Sequence, residues 1–220
     1  MPANETIRIE WYGQSMFRIQ GGGVTLVVDP TNPQTGYDYN PVQADAVLIT
    51  HDHFDHNFMD GVLNRPEVLN KPGEREAAEL RVHGFSAFHD NAGGRERGSI
   101  VIFAWEQAGF TLAHLGDLGE RPSPGALEAL KGRDILMVPV GGVFTIDGKQ
   151  AVALISEIKP RIVIPMHFKT PDCVVGIEPL QNFIRYYEGE VRDVGERPLS
   201  ITRDDLPEET EVWVLPYKIS

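Results

Sequence analysis

The run His51-Asp52-His53-Phe54-Asp55-His56 sets three imidazoles and two carboxylates within six positions, directly after the short apolar segment Ala46–Thr50. Imidazole nitrogen and carboxylate oxygen are the donors that zinc and its divalent neighbours accept, and a catalytic centre keeps one coordination position open for water. Alternate residues of an extended segment point the same way. His51 and His53 can therefore grip one metal, and Asp55 and His56, past a bend, can reach a second. A solvated polar loop before a helix is the plainer reading, but such a loop needs no concentration of histidine.

Other polar residues follow apolar runs in the same manner: Asp29 after Val24–Val28, His89 after Phe85–Phe88, Asp117 after Phe110–Leu115 and Gly116, and His167 after Ile162–Met166. If these strands end on one edge of a sandwich, their terminal side chains converge, as ligand sites do at strand ends of α/β sheets.

The first half reads as strands joined by turns. Thr6–Tyr12, Met16–Gln20 and Val24–Val28 form an antiparallel meander, with Gly21-Gly22-Gly23 as hairpin turn. A Pro-, Asn-, Gly- and Tyr-rich loop (Pro30–Pro41) precedes the strand Ala46–Thr50, and further strands are expected at Glu79–Phe88, Ser99–Trp105 and Phe110–Leu115. Helices then alternate with strands: Ser123–Leu130 helix, Asp134–Val140 strand, Gly148–Ile158 helix, Arg161–Met166 strand, Ile177–Tyr187 helix, and a closing strand Glu211–Tyr217. Asp147 with Gln150 makes a capping box for the Gly148–Ile158 helix, and Pro160 follows its end. This mixture fits two sheets covered by helices, a layered α/β or α+β architecture.

A chain of 220 residues, 41% of them hydrophobic, can bury one substantial core, and one domain over 1–220 is expected. Runs such as Ile100–Trp105 fall far short of the ~20 residues of a membrane span, so no membrane association is expected. Met-Pro-Ala-Asn-Glu-Thr at the N-terminus is polar and acidic, unlike a secretory signal, and predicts a cytoplasmic chain. Cys173 is the single cysteine, which suits a reducing compartment and reads as structural rather than nucleophilic. The net charge of −12 disfavours nucleic acid as a partner, because affinity for it comes largely from Lys and Arg. Glu208–Glu211 reads as a short solvated acidic loop.

The His-Asp-His-Phe-Asp-His run, with His89, Asp117 and His167 at increasing distances, resembles the metallo-β-lactamase superfamily. Segments such as Val28-Asp29-Pro30, His114-Leu115-Gly116-Asp117-Leu118-Gly119 and Ile164-Pro165-Met166-His167 extend the resemblance along most of the chain. They look like a compact branch of zinc-dependent hydrolases related to sugar-lactone lactonases and phosphodiesterases. The resemblance implies a four-layer αββα sandwich. It also implies that His51, His53 and His89 hold one divalent metal, that Asp55, His56 and His167 hold another, and that Asp117 bridges them. Zinc is the expected ion, with Mn2+ or Fe2+ as alternatives. The pattern departs at Gln14, where relatives often carry His, and stops at about Tyr187.

Two such cations activate water for attack on a carbonyl or phosphorus, and Asp55 is the expected catalytic residue, orienting or deprotonating that water. The expected substrate is a small ester, lactone or phosphodiester. Arg95, Arg97 and Lys169 could grip an anionic group on it, or could be plain surface charges. Asp29 reads equally as a turn residue before Pro30 or as the partner of a ligating imidazole. His114 is expected to be packed or to support a ligand, and His83 to be an ordinary strand histidine. Gly141-Gly142 reads as a tight connection bordering the site, with Phe144 and Thr145 as pocket lining. A di-iron oxidoreductase fits less well, because those typically place a carboxylate where His53 stands. A non-catalytic metal-binding relative is opposed by the complete donor set.

Overall fold

The computed structural model describes residues 6–195 and 198–217. Residues 1–5, on which the reading of the N-terminal segment mainly rests, lie outside the described residues. In chain order the strands and helices are β1 (Ile7–Trp11), β2 (Phe17–Gly21), β3 (Val24–Val28), β4 (Ala46–Leu48), β5 (Glu67–Leu69), β6 (Gly73–Ala77), β7 (Leu80–Phe88), β8 (Ser99–Gln107) and β9 (Phe110–His114). They continue with α1 (Pro124–Leu130), β10 (Ile135–Pro139), α2 (Gly148–Ile158), β11 (Ile162–Met166), α3 (Gln181–Ile184), β12 (Val191–Asp193), β13 (Leu199–Ile201) and β14 (Glu211–Val214).

Two sheets result, with strand orders β13-β1-β2-β3-β4-β5 and β12-β14-β11-β10-β9-β8-β7-β6. The first begins as the expected meander, β1–β2–β3, which turns through Gly22 and Gly23 at positive φ, and then adds β4 and β5 in parallel. The second runs antiparallel from β6 to β9 and parallel from β9 through β10, β11 and β14. Side-chain alternation explains the packing. Ile7, Ile9, Phe17, Ile19, Leu26 and Val28 of the first sheet share one buried cluster with Val82, Ile102, Leu112 and Leu136 of the second. Each such side chain stabilises the sandwich by roughly 1.5–3 kcal/mol.

Helices α1 and α2 link β9 to β10 and β10 to β11, and Leu127, Leu130, Leu154, Ile155 and Ile158 bury into the same cluster. The capping box of α2 is present in both directions: Gln150 N–H donates to Asp147 Oδ1 at 2.8 Å and Asp147 N–H donates to Gln150 Oε1 at 2.9 Å. The other face of the first sheet is covered differently. Val27 and Val47 pack there against Val42, Ile49, Val62 and Tyr39. Among the described residues this cover is made of extended segments and a short 3-10 turn (Met59–Gly61).

The helix expected over Ile177–Tyr187 is only one turn, Gln181–Ile184. Pro179 cannot donate to an earlier turn and biases Glu178 away from helical geometry. Residues before it bond to the site instead: Glu178 N–H donates to the Gly141 carbonyl at 2.8 Å, and Lys169 N–H to that of Glu178 at 2.8 Å.

Candidate metal centre

The C-terminal ends of β3, β4, β7, β9 and β11 open on one edge of the sandwich and bring Asp29, His51–His56, His89, Asp117 and His167 together. A hydrogen bond from Val101 N–H of β8 to the Thr50 carbonyl, 2.8 Å long, ties the two sheets at this edge. Asp29, His167 and Gln14 take φ of 47, 52 and 47°, in the left-handed region that side chains other than glycine seldom adopt. Surrounding bonds impose it, since Asp29 N–H donates to the Leu48 carbonyl at 2.9 Å and His167 N–H to that of Gln14 at 3.0 Å.

Asp117 Oδ2 is the hub. It lies 3.2 Å from His56 Nε2, 3.2 Å from His167 Nε2, 3.4 Å from His89 Nε2 and 4.0 Å from His51 Nε2. His53 Nδ1 is 3.1 Å from His51 Nε2, and Asp55 Oδ2 is 3.6 Å from His56 Nε2. Three overlapping groups have donor atoms close enough to share an ion: His51, His53 and His89; His51, His56 and Asp117; and Asp55, His56 and His167. All seven donors named from sequence are thus brought together.

A second layer orients the rings. His56 Nδ1 meets Asp29 Oδ2 at 2.9 Å, and the same carboxylate accepts from Thr50 N–H and Thr50 Oγ1 at 2.7 Å each. The Thr50 hydroxyl, its own proton committed to Asp29, faces His51 Nδ1 at 3.0 Å, and the Phe144 carbonyl faces His89 Nδ1 at 3.1 Å. Each of these three rings is therefore anchored at Nδ1, with Nε2 directed at the hub. Asp29 takes the supporting role and the turn position together. His114, fully buried, bonds through Nε2 to the Ser15 carbonyl at 2.9 Å and accepts the Gly116 N–H on Nδ1 at 3.1 Å.

The charges match this arrangement. Burial pushes the Asp117 carboxyl up, but the neighbouring charges of His167 and His56 outweigh it and hold it well below the ordinary range. Burial likewise opposes the charge on His56, and Asp117 and Asp29 override it, raising His56 well above its usual value. Burial, with the neighbouring His56 charge, pushes His51 down to about 2, so its imidazole is neutral. Burial also raises Asp55, yet His56 and the Gln14 amide, 3.1 Å from its Oδ2, leave it depressed. A cation binds ionised carboxylates and neutral imidazoles, so at His56 it would take the place of the proton that Asp117 and Asp29 favour. His56 Nε2 is buried without a hydrogen-bond partner, the orphaned atom that a cation would satisfy. The residues fit a divalent-metal centre.

Residues 8–167 match the Beta-lactamase superfamily domain. This chain belongs to the metallo-β-lactamase superfamily. A protein of Nitratidesulfovibrio vulgaris described as a UPF0173 metal-dependent hydrolase is 34% identical over 203 residues, covering 74% of this chain and 80% of its own. A UPF0173 metal-dependent hydrolase of Lawsonia intracellularis is 28% identical over 223 residues, covering 86% and 96%. Among solved structures, a candidate zinc-dependent hydrolase of the metallo-β-lactamase superfamily from Thermotoga maritima superposes with a TM-score of 0.75 at 29% identity, over 95% of this chain and 98% of that one.

Within the superfamily fold, His53, Asp55, His89, Asp117 and His167 face a cavity of about 300 Å³ whose wall also includes Phe54, Phe144, Val175 and Arg97. Arg97 thus reaches the site. Lys169 does not, because its Nζ donates to the carbonyls of Cys173 and Val175 and braces that loop. Cys173 is buried, its Sγ 3.8 Å from Gln14 Oε1. Thr145 turns its hydroxyl to the Ile146 carbonyl at 3.1 Å, so only Phe144 of that pair lines the cavity. His83 is a half-buried strand residue stacked on Phe85. Sequence reasoning gave no role to Asp90, Thr50 or Ser15. An Asp-Asn-Ala-Gly-Gly run after His89 is the signal that marks Asp90 as the organiser of a turn.

No helix among the described residues is long and apolar enough to cross a membrane.

Proposed function

We propose that this chain is a metal-dependent hydrolase that cleaves a small ester, lactone or phosphodiester at a dinuclear centre. The observation that carries the reading is the position of Asp117 Oδ2, within 4.0 Å of the Nε2 atoms of four histidines drawn from both sheets. In this reading His51, His53 and His89 would hold one ion and Asp55, His56 and His167 the other, with Asp117 available to both. The donor set suits zinc, with manganese or iron(II) as alternatives. Two bound divalent ions supply Lewis acidity and bring the pKa of water near 7.

The chain's own groups do the rest. Asp55, held by Gln14 Nε2, orients the attacking water and takes its proton on the carboxylate. Asp29, Thr50 and the Phe144 carbonyl keep the imidazole nitrogens aimed, so little reorganisation accompanies the reaction. Phe54, Phe144 and Val175 exclude water from one side of the cavity.

The test is turnover of matched panels of lactones, simple esters and phosphodiesters by zinc- or manganese-loaded protein, with His51→Ala as background. Metal-dependent turnover absent in the variant is expected on one panel. Inactivity on every panel despite full metal loading would remove the ester, lactone and phosphodiester reading and point to another bond or to a non-catalytic role. Asp117→Ala is expected to lower metal content measured by elemental analysis and to abolish turnover; unchanged stoichiometry would take Asp117 out of the bridge.

A further inference from the structure

Arg97 is the single Lys or Arg among the nine described residues that line the metal-facing cavity. Its position is built rather than incidental. The Asp90 carboxylate accepts four backbone N–H groups, from Ala92 and Gly94 on Oδ1 at 2.8 and 2.9 Å and from Glu96 and Arg97 on Oδ2 at 3.0 and 2.7 Å. Two further backbone bonds close the loop, His89 N–H to Gly98 and Gly98 N–H to Gly94. The loop that carries Arg97 is therefore fixed from the residue next to a metal donor.

The guanidinium lies 5.1 Å over the Phe144 ring, and the Phe144 carbonyl anchors His89, so cation, ring and donor keep a set spacing. The Arg97 side chain is 32% exposed, and its nearest carboxylate, Glu96 at 3.7 Å, is 63% exposed and long for an ion pair. Such a solvated pair holds the cation weakly. The planar fork is thus open to a carboxylate or phosphoryl group, for which its geometry is bidentate.

Apart from Arg97 and the His and Asp residues directed at the metals, the wall is apolar. Phe54 is 59% exposed, and Val143 and Val174, neighbours in sequence of the lining residues Phe144 and Val175, are 59% and 67% exposed. None of the nine lining residues is Ser, Thr, Asn, Gln or Tyr, so hydroxyls of a bound sugar would find no uncharged side-chain partner there beyond the histidines assigned to the metals.

Resting on the hydrolase reading above, we infer that the site selects an amphiphilic oxyanion: a compact substrate with an apolar arm against Phe54, Phe144 and Val175 and one carboxylate or phosphoryl group on Arg97, rather than a polyhydroxylated sugar lactone.

The test is calorimetric binding of non-hydrolysable probes to the metal-loaded protein: 4-phenylbutyrate, its uncharged amide, the matching phosphonate, and gluconate. The acid is expected to bind about tenfold or more tighter than the amide, the scale of one charge-assisted hydrogen-bonded pair. Arg97→Gln should reduce that ratio to within about twofold at unchanged metal content, and Arg97→Lys should restore part of it. Phe54→Ala, at an exposed position, should weaken acid and amide alike and keep the ratio. The ranking of acid against phosphonate tells which oxyanion is preferred. Persistence of the acid preference in Arg97→Gln would overturn the inference by placing the carboxylate on the metals, and gluconate binding as tightly as phenylbutyrate would overturn its apolar half. Because the readout is binding, a chain that hydrolyses nothing would lose the hydrolase reading and still show or lack this selectivity.

Discussion

His56 is held on one side by Asp29 and on the other faces Asp117, and its orientation depends on the first of these. Asp29→Asn keeps the shape and removes the charge. Metal affinity is expected to fall 10–100-fold, the usual cost of losing such a supporting carboxylate, as read by competition with a chromophoric chelator; an unchanged constant would show that Thr50 and packing suffice. His114 allows a pH prediction. Burial lowers its pKa, and its two bonds fix the neutral ring. Below the ordinary histidine value of about 6.5, the unfolded chain binds a proton that the folded one refuses. The stability due to this group is therefore present above that pH and lost as pH falls through it, by up to about 1.4 kcal/mol per unit. His114→Asn is expected to flatten the decline in denaturant stability between pH 7 and 5.5 by roughly 1 kcal/mol; parallel profiles would contradict it. The seven residues that meet here were legible in the sequence because four share the His51–His56 run and His89, Asp117 and His167 each follow an apolar strand, while their sharing out between two metals came from the family resemblance. Arg97 stayed ambiguous there, since only the Asp90 turn and the Phe144 ring decide which way it faces.

Among the elements, the connection from β10 to α2 borders the site through Gly141 and Phe144. A Cβ on Gly141 would lie 2.0 Å from the His167 carbonyl oxygen, so this backbone approaches His167 as only glycine permits. Gly141→Ala should cost about 1–3 kcal/mol of stability through overpacking. It should also weaken the Asp55, His56 and His167 group more than the His51, His53 and His89 group. Metal titration should then resolve one tight and one weak step, and two unaltered steps would contradict the coupling. The long inner strands and α2 were readable from periodicity and capping. Four strands were not: β5, β6, β12 and β13 are short or polar, and their pairing depends on partners distant in sequence. The helix over Ile177–Tyr187 was misread because bonds from Glu178 to the loop after β10 and from Lys169 to Glu178 outcompete helical periodicity.

Across the whole molecule, His51, His53, Asp55 and His56 follow the first sheet, while His89, Asp117 and His167 follow the second. Ions shared among them would fasten the layers to each other, and binding only the folded state stabilises it by mass action. At about a hundredfold excess over the dissociation constant this amounts to roughly 2.7 kcal/mol per site, or about 5–10 °C in Tm at this size. Chelation should lower the melting temperature by that much per ion, and re-addition should restore it; a melting curve indifferent to chelator would deny the ions any structural share. The two-sheet plan was visible in the order of strand-rich and helix-strand segments. The cover of the first sheet's outer face was not, because Val42, Ile49 and Val62 sit in irregular chain without a period to read.

The opposite edge of the sandwich, where β2 turns into β3 and β8 into β9, carries none of these donors. An added Cβ at Gly23 would touch nothing within 4 Å, and the turn there is set by two residues at positive φ. A fluorophore or affinity handle spliced between Gly22 and Gly23 would thus ride on the far rim, reporting on the protein while leaving its chemistry undisturbed.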